Sequence, residues 1–150
     1  KISDLGAAYE LSEQELKEQS VYEKNEQVTR WYRSPELLET SRHFLKSDLW
    51  SVGCIHAEMF LQRPLFPGEK SMQLDTIKSV MRRPITDIFD SMDLRELDLV
   101  HGMLIPDPKA RLSAEAAGKH RFFYPSIKEE QTRNAEPASK KRRVERKDSQ

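Results

Sequence analysis

Cys54 is the only cysteine in the 150-residue chain. That excludes an internal disulfide framework and a cysteine-rich zinc site, and it fits a reducing compartment. No apolar run approaches the ~20 residues of a membrane span, and nothing resembles a signal peptide. Charge of either sign is not in excess, because 25 basic residues balance 25 acidic ones. The whole-chain balance therefore argues for ordinary solubility and favours neither nucleic acid nor membrane as a partner. The expectation is an intracellular protein of cytoplasm, nucleus or both, built as one domain plus a tail; at this length a domain buries roughly two-thirds of its surface.

Three zones divide the chain. From Tyr9 to Gln27 the sequence is polar and acid-rich, too poor in apolar residues for a core face, although Ser12 with Glu15 is spaced to cap a short helix. From Val28 to about Phe123 apolar blocks return at helical spacing: Leu49 to Leu61, Leu74 to Met81, Ile85 to Met92, Leu97 to Ile105 and Leu112 to Ala117. Breakers fall between them at Pro35, Pro64, Pro67-Gly68, Pro84, Pro106 and Pro108, so a mainly α domain is expected. From Ile127 the chain turns polar and ends in ASKKRRVERKDSQ, a composition that predicts disorder over 128–150.

The block KSDLWSVGCIHAEMFLQR is apolar around most of its helical circumference, so other elements must enclose it. Ser47 and Asp48 stand at its start, where side-chain acceptors and negative charge suit free N–H groups. His56, His101, His120 and His43 lack metal-ligand spacing and read as structural, the last in a loop. Met72, Met81, Met92 and Met103 read as core filler.

Asp4-Leu5-Gly6 by itself describes any tight turn. It follows the strand-like Lys1-Ile2-Ser3 and precedes, in order, VTRWYRSPELL, SDLWSVGCIHAEM, PLFPG and DPKARLS. With these blocks in this order the sequence resembles the C-terminal lobe of a eukaryotic protein kinase of the CMGC group, the branch of the MAP kinases and cyclin-dependent kinases. The resemblance covers about residues 1–127 and implies the helical lobe of a fold that is α+β when complete.

Site residues follow from the resemblance position by position. Asp4 matches the aspartate that holds the magnesium ions bridging the ATP phosphates, a role suited to a hard carboxylate ligand. Gly6 gives the turn its backbone freedom and belongs with Asp4 to the ATP and Mg2+ site; Leu5 replaces the family's Phe. The activation segment would run over residues 4–36 and end at Ser34-Pro35-Glu36. Glu36 is expected to pair with Arg111, since carboxylate and guanidinium can fasten distant parts of a chain bidentately. Thr29 matches the residue that hydrogen-bonds near the catalytic base in Ser/Thr kinases. Arg30 and Arg33 match arginines that engage activation-loop phosphate or shape the substrate pocket; outside that context they read as solvated charge. Asp48 resembles the aspartate that braces the catalytic loop.

Several positions depart from the family. The phosphoacceptor pair of MAP kinases falls on Lys24-Asn25-Glu26, where Glu26 is a candidate for a fixed negative charge toward Arg30 or Arg33, with a solvated acidic loop as the plainer account. Only RRPITDIFDSMDLRELD separates the Leu74 to Met81 block from LVHGMLIPDP, shorter than the family's stretch there. No glycine-rich phosphate loop, strand lysine or His-Arg-Asp loop occurs, because in the family these precede the position of Lys1. The expectation is therefore a piece of a longer chain, catalytically incomplete by itself.

Lys140, Lys141, Arg142 and Arg143 head a basic run that resembles a nuclear localisation signal, which makes an import receptor a candidate partner. No aromatic residue interleaves with it, so direct nucleic-acid binding is not expected. Three function classes stand: a Ser/Thr kinase acting on protein substrates, a truncated kinase-like binding module without catalysis, and, least favoured, a helical nucleic-acid-binding protein driven by the tail. Retention of Asp4, Gly6, Thr29, Glu36 and Arg111 favours the first.

Overall fold

The computed structural model describes residues 8, 10–18, 20–22 and 30–124. The expected strand at 1–3 and the tail over 128–150 lie outside the described residues. Helix α1 spans Glu13–Glu18. Its start is a reciprocal capping box: Ser12 N and Oγ donate to Glu15 Oε2 at 2.8 and 2.7 Å, and Glu15 N donates back to Ser12 Oγ at 3.3 Å. Strand β1 (Ser20–Tyr22) pairs antiparallel with β2 (Arg42–Phe44), with Val21 opposite His43. Neither strand was expected, and His43 lies in one rather than in a loop. Three residues are too few for an alternating pattern to declare itself, so pairing decides such strands.

The remaining elements are helices whose ends follow from local chemistry. Helix α2 (Pro35–Thr40) begins on a proline, whose fixed φ and missing N–H suit the first turn, and closes at left-handed Ser41 with its N–H on Leu37 O. Helix α3 (Ser47–Leu61) closes the same way at Gln62. Helices α4 (Gln73–Met81) and α5 (Ile85–Ile88) are separated by the Arg82-Arg83-Pro84 corner. Helix α6 (Leu94–Met103) is capped by the Asp93 carboxylate, which accepts from Arg95 N at 2.9 Å, and α7 (Ala114–Gly118) by the Ser113 hydroxyl. The domain is mainly helical, as the block spacing predicts.

The core lies where α3 meets α6. Trp50, Cys54 and Ala57 on α3 face Leu97, Val100 and Met103 on α6, with Leu104, Phe66, Ile77 and Phe89 filling around them. Complete burial of each large side chain stabilises by about 1.5–3 kcal/mol. Two glycines set the spacing. A Cβ on Gly53 would stand 3.0 Å from Met103 Cβ and from Leu104 Cδ2, and one on Gly102 would come to 2.5 Å from Leu112 Cδ1.

Two expectations about this core are corrected. Helix α3 is not enclosed all round: Val52, Ile55 and Met59, spaced along one face, are 49%, 49% and 62% exposed. Trp50, by contrast, is fully buried, with Phe66 stacked on it at 5.4 Å and 12°. Met72 is exposed rather than core filler, whereas Met92 and Met103 are buried.

Candidate functional site

The buried polar centre of the lobe is the meeting of Glu36 and Arg111. Glu36 is carried by the first turn of α2, and Arg111 by the loop between α6 and α7. The guanidinium grips the carboxylate in parallel, Nη1 to Oε1 at 2.7 Å and Nη2 to Oε2 at 2.8 Å. Nε then donates to Ile105 O at 2.8 Å, Nη1 to Lys46 O at 3.0 Å and Nη2 to Pro106 O at 2.9 Å. All five N–H donors of the fork are thereby used, which is the condition under which a buried cation is tolerated. The Trp50 ring lies 5.2 Å below the guanidinium carbon. Burial pushes the Glu36 carboxyl up, but the Arg111 hydrogen bonds and charge outweigh it and hold the group below its ordinary range.

Three residues that the sequence did not single out for this corner complete it. Ser47 Oγ donates to Glu36 Oε1 at 2.9 Å and accepts from Phe44 N at 2.9 Å. It is thus a ligand of the latch rather than the helix cap expected of it, and α3 starts after Lys46 without a side-chain cap. Lys46 Nζ donates to the carbonyls of Lys109 and Arg111 at 3.0 and 2.6 Å, bracing the Arg111 loop against the start of α3. Gln73 Nε2 donates to Phe66 O at 2.9 Å and fixes the loop that covers Trp50. A Lys-Ser pair before an apolar helix carries no signal for such long-range bonds, since their partners lie over sixty residues away for Lys46.

The neighbouring turn at Arg30–Tyr32 is tied to the same framework. Trp31 Nε1 donates to Gly68 O at 2.9 Å, Tyr32 Oη to Glu58 Oε2 at 2.7 Å, and Ser51 Oγ to Tyr32 O at 2.8 Å. The bond to Glu58, with burial and the Glu58 charge, raises the Tyr32 phenol. Arg30 is exposed at the edge of an open hollow with Gly68, Glu69 and Ser71, while Arg33 is buried and so is not a solvated surface charge. Asp48 is exposed in the first turn of α3. Asp4, Gly6, Glu26 and Thr29 lie outside the described residues, as do Lys140, Lys141, Arg142 and Arg143.

Other ionisable groups have structural surroundings. His56 Nε2 lies 2.7 Å from Glu96 Oε1 and meets Phe122 edge-on; His120 lies 3.3 Å from Asp98. Burial pushes the Cys54 thiol far up, which leaves it inert at neutral pH. Among the described residues, no group of three His, Cys, Asp or Glu is placed to hold a metal, and no helix is long and apolar enough to cross a membrane.

Comparison with known proteins places this geometry. The chain is 32% identical to mitogen-activated protein kinase 3 of Arabidopsis thaliana over 152 aligned residues, covering 82% of this chain and 40% of the relative. It is 33% identical to mitogen-activated protein kinase 5 of the same plant, covering 91% of this chain and 42% of that relative. The chain thus spans well under half of the length of these curated relatives. Residues 1–123, a range that includes both Glu36 and Arg111, match the family described as protein kinase domain, and the chain belongs to that family.

Proposed function

We propose that the chain serves as the helical lobe of a Ser/Thr protein kinase of the CMGC group, nearer to the MAP kinases, which transfers phosphate from ATP to Ser/Thr hydroxyls of protein substrates in intracellular signalling. The supporting observation is the Glu36–Arg111 latch, bidentate, buried and saturated, which fastens the end of the segment over 4–36 to the body of the lobe. In this reading Asp4 supplies the hard oxygen ligand for Mg2+ beside ATP, with Gly6 shaping the turn, and Thr29 acts near the substrate hydroxyl. Asp48 would brace the catalytic loop. Arg30 and Arg33 would border the substrate site, with Glu26 as a fixed charge near them. The domain would span 1–127, and the basic run from Lys140 to Arg143 would direct the protein to the nucleus through an import receptor.

The coding sequence tests this first. In-frame codons for His-Arg-Asp and a following Asn upstream of Lys1 are expected. A start codon at or just before Lys1 would overturn catalysis and leave a binding module. In a product carrying those upstream motifs, Asp4→Asn should abolish transfer of labelled phosphate to a protein substrate without unfolding the domain; undiminished transfer contradicts the assignment.

A further inference from the structure

The corner between α4 and α5 carries a pattern that the kinase reading does not use. Arg82, Arg83 and Thr86 are all exposed there, with Pro84 between the arginines and the threonine. Arg83 does not point away from the corner: its Nη2 lies 3.4 Å from the carbonyl of Asp87, so the guanidinium folds back over the short helix α5 that carries Thr86. The Thr86 hydroxyl is held only loosely, its Oγ1 3.4 Å from Asp87 Oδ1. Ile85 and Ile88 are half-buried and Phe89 is buried, so they anchor the far side of the turn and leave the Arg83–Thr86 side facing solvent.

We propose that Thr86 is a phosphorylation site for an arginine-directed protein kinase, and that Arg83 both recruits that kinase and afterwards clamps the phosphate. An arginine three residues before an exposed hydroxyl presents a fixed positive charge to an acidic subsite, and such charge patterns are how kinases discriminate among substrates. The step is balanced: the Thr86 Oγ1–H bond and the γ-phosphoryl bond of ATP break, an O–P bond forms, and ADP and a proton leave. The product carries about −1.5 to −2 charge at neutral pH and three acceptor oxygens. Arg83 already reaches this turn and can turn to the phosphate from a long, weak bond to a carbonyl; Arg82 adds charge beside it. Asp87, whose Oδ1 lies 3.4 Å from the Thr86 hydroxyl, carries charge of the same sign as the phosphate, so modification makes this corner more acidic.

The full chain is incubated with an arginine-directed Ser/Thr kinase and labelled ATP, and the sites are read by mass spectrometry. Label is expected on Thr86, absent in T86A, and reduced at least roughly tenfold in R83A, the effect of losing one hydrogen bond to a charged group. Both substituted residues are exposed, so an unchanged circular-dichroism spectrum is expected of each. Ser149, with Arg146 three residues before it, is the internal competitor: label on Ser149 with none on Thr86 overturns the proposal. Equal labelling of Thr86 in R83A overturns the recruiting role. For the clamp, the phosphorus resonance of phosphorylated Thr86 should titrate at lower pH with Arg83 present than in R83A; coincident titrations contradict it.

Discussion

Helix α3 has two sides that differ in kind. On one, Trp50 lies between Phe66 and the Arg111 guanidinium, and the Glu36–Arg111 pair above it has every guanidinium donor used. On the other, Val52, Ile55 and Met59 stand in solvent at about half exposure or more. The first side is finished by elements of this chain. The second is a contiguous apolar strip of a kind that folded surfaces leave open when another body is meant to cover it. In the proposed function the rest of a kinase domain would cover it, and the same helix would then serve both as anchor and as joint.

Loss of the latch should be the most damaging change. Arg111→Ala leaves Glu36 as an uncompensated buried charge and five carbonyl or carboxylate contacts unmade, a cost of about 3–5 kcal/mol in denaturant unfolding. The α3–α6 approach comes next. Gly102→Ala drives a methyl into Leu112 and Gly53→Ala one against Met103 and Leu104, each expected to cost about 1–3 kcal/mol by thermal melting, the former more. Next is acid. The folded Glu36 carboxyl titrates below its ordinary value of 4.5, so its contribution is fully present above the unfolded pKa and is lost as pH falls through the folded one. Stability measured from pH 7 downward should therefore drop below about 4.5 in the parent, and this part of the drop should vanish in Glu36→Gln. Smallest of all, Ile55→Gln and Met59→Gln should change the stability of this chain by less than about 0.5 kcal/mol. If either costs as much as a core substitution, the two sides of α3 are not different and the comparison fails.

Much of this was legible in the sequence, for physical reasons. The proline and glycine breakers, together with apolar runs at helical spacing, marked the helices, whereas the Glu36–Arg111 pair, 75 residues apart, was legible only through the resemblance to the kinase family. The capping box at Ser12 and Glu15 was legible because its two partners are three residues apart. What escaped has a common cause in distance along the chain. The strands β1 and β2 are fixed by each other rather than by their own composition, and the roles of Lys46 and Ser47 depend on carbonyls and a carboxylate supplied from elsewhere. The exposed strip of α3 is apolar like the buried one, so composition alone could not separate the two sides.

The central claim, that Glu36 and Arg111 act as one unit holding the lobe together, is tested most directly by a double-mutant cycle with Glu36→Gln and Arg111→Met read by denaturant unfolding. Strong non-additivity is expected, with a coupling of about 2 kcal/mol or more and a double variant less damaged than the two single losses combined. Additive effects, with no coupling beyond error, would contradict it.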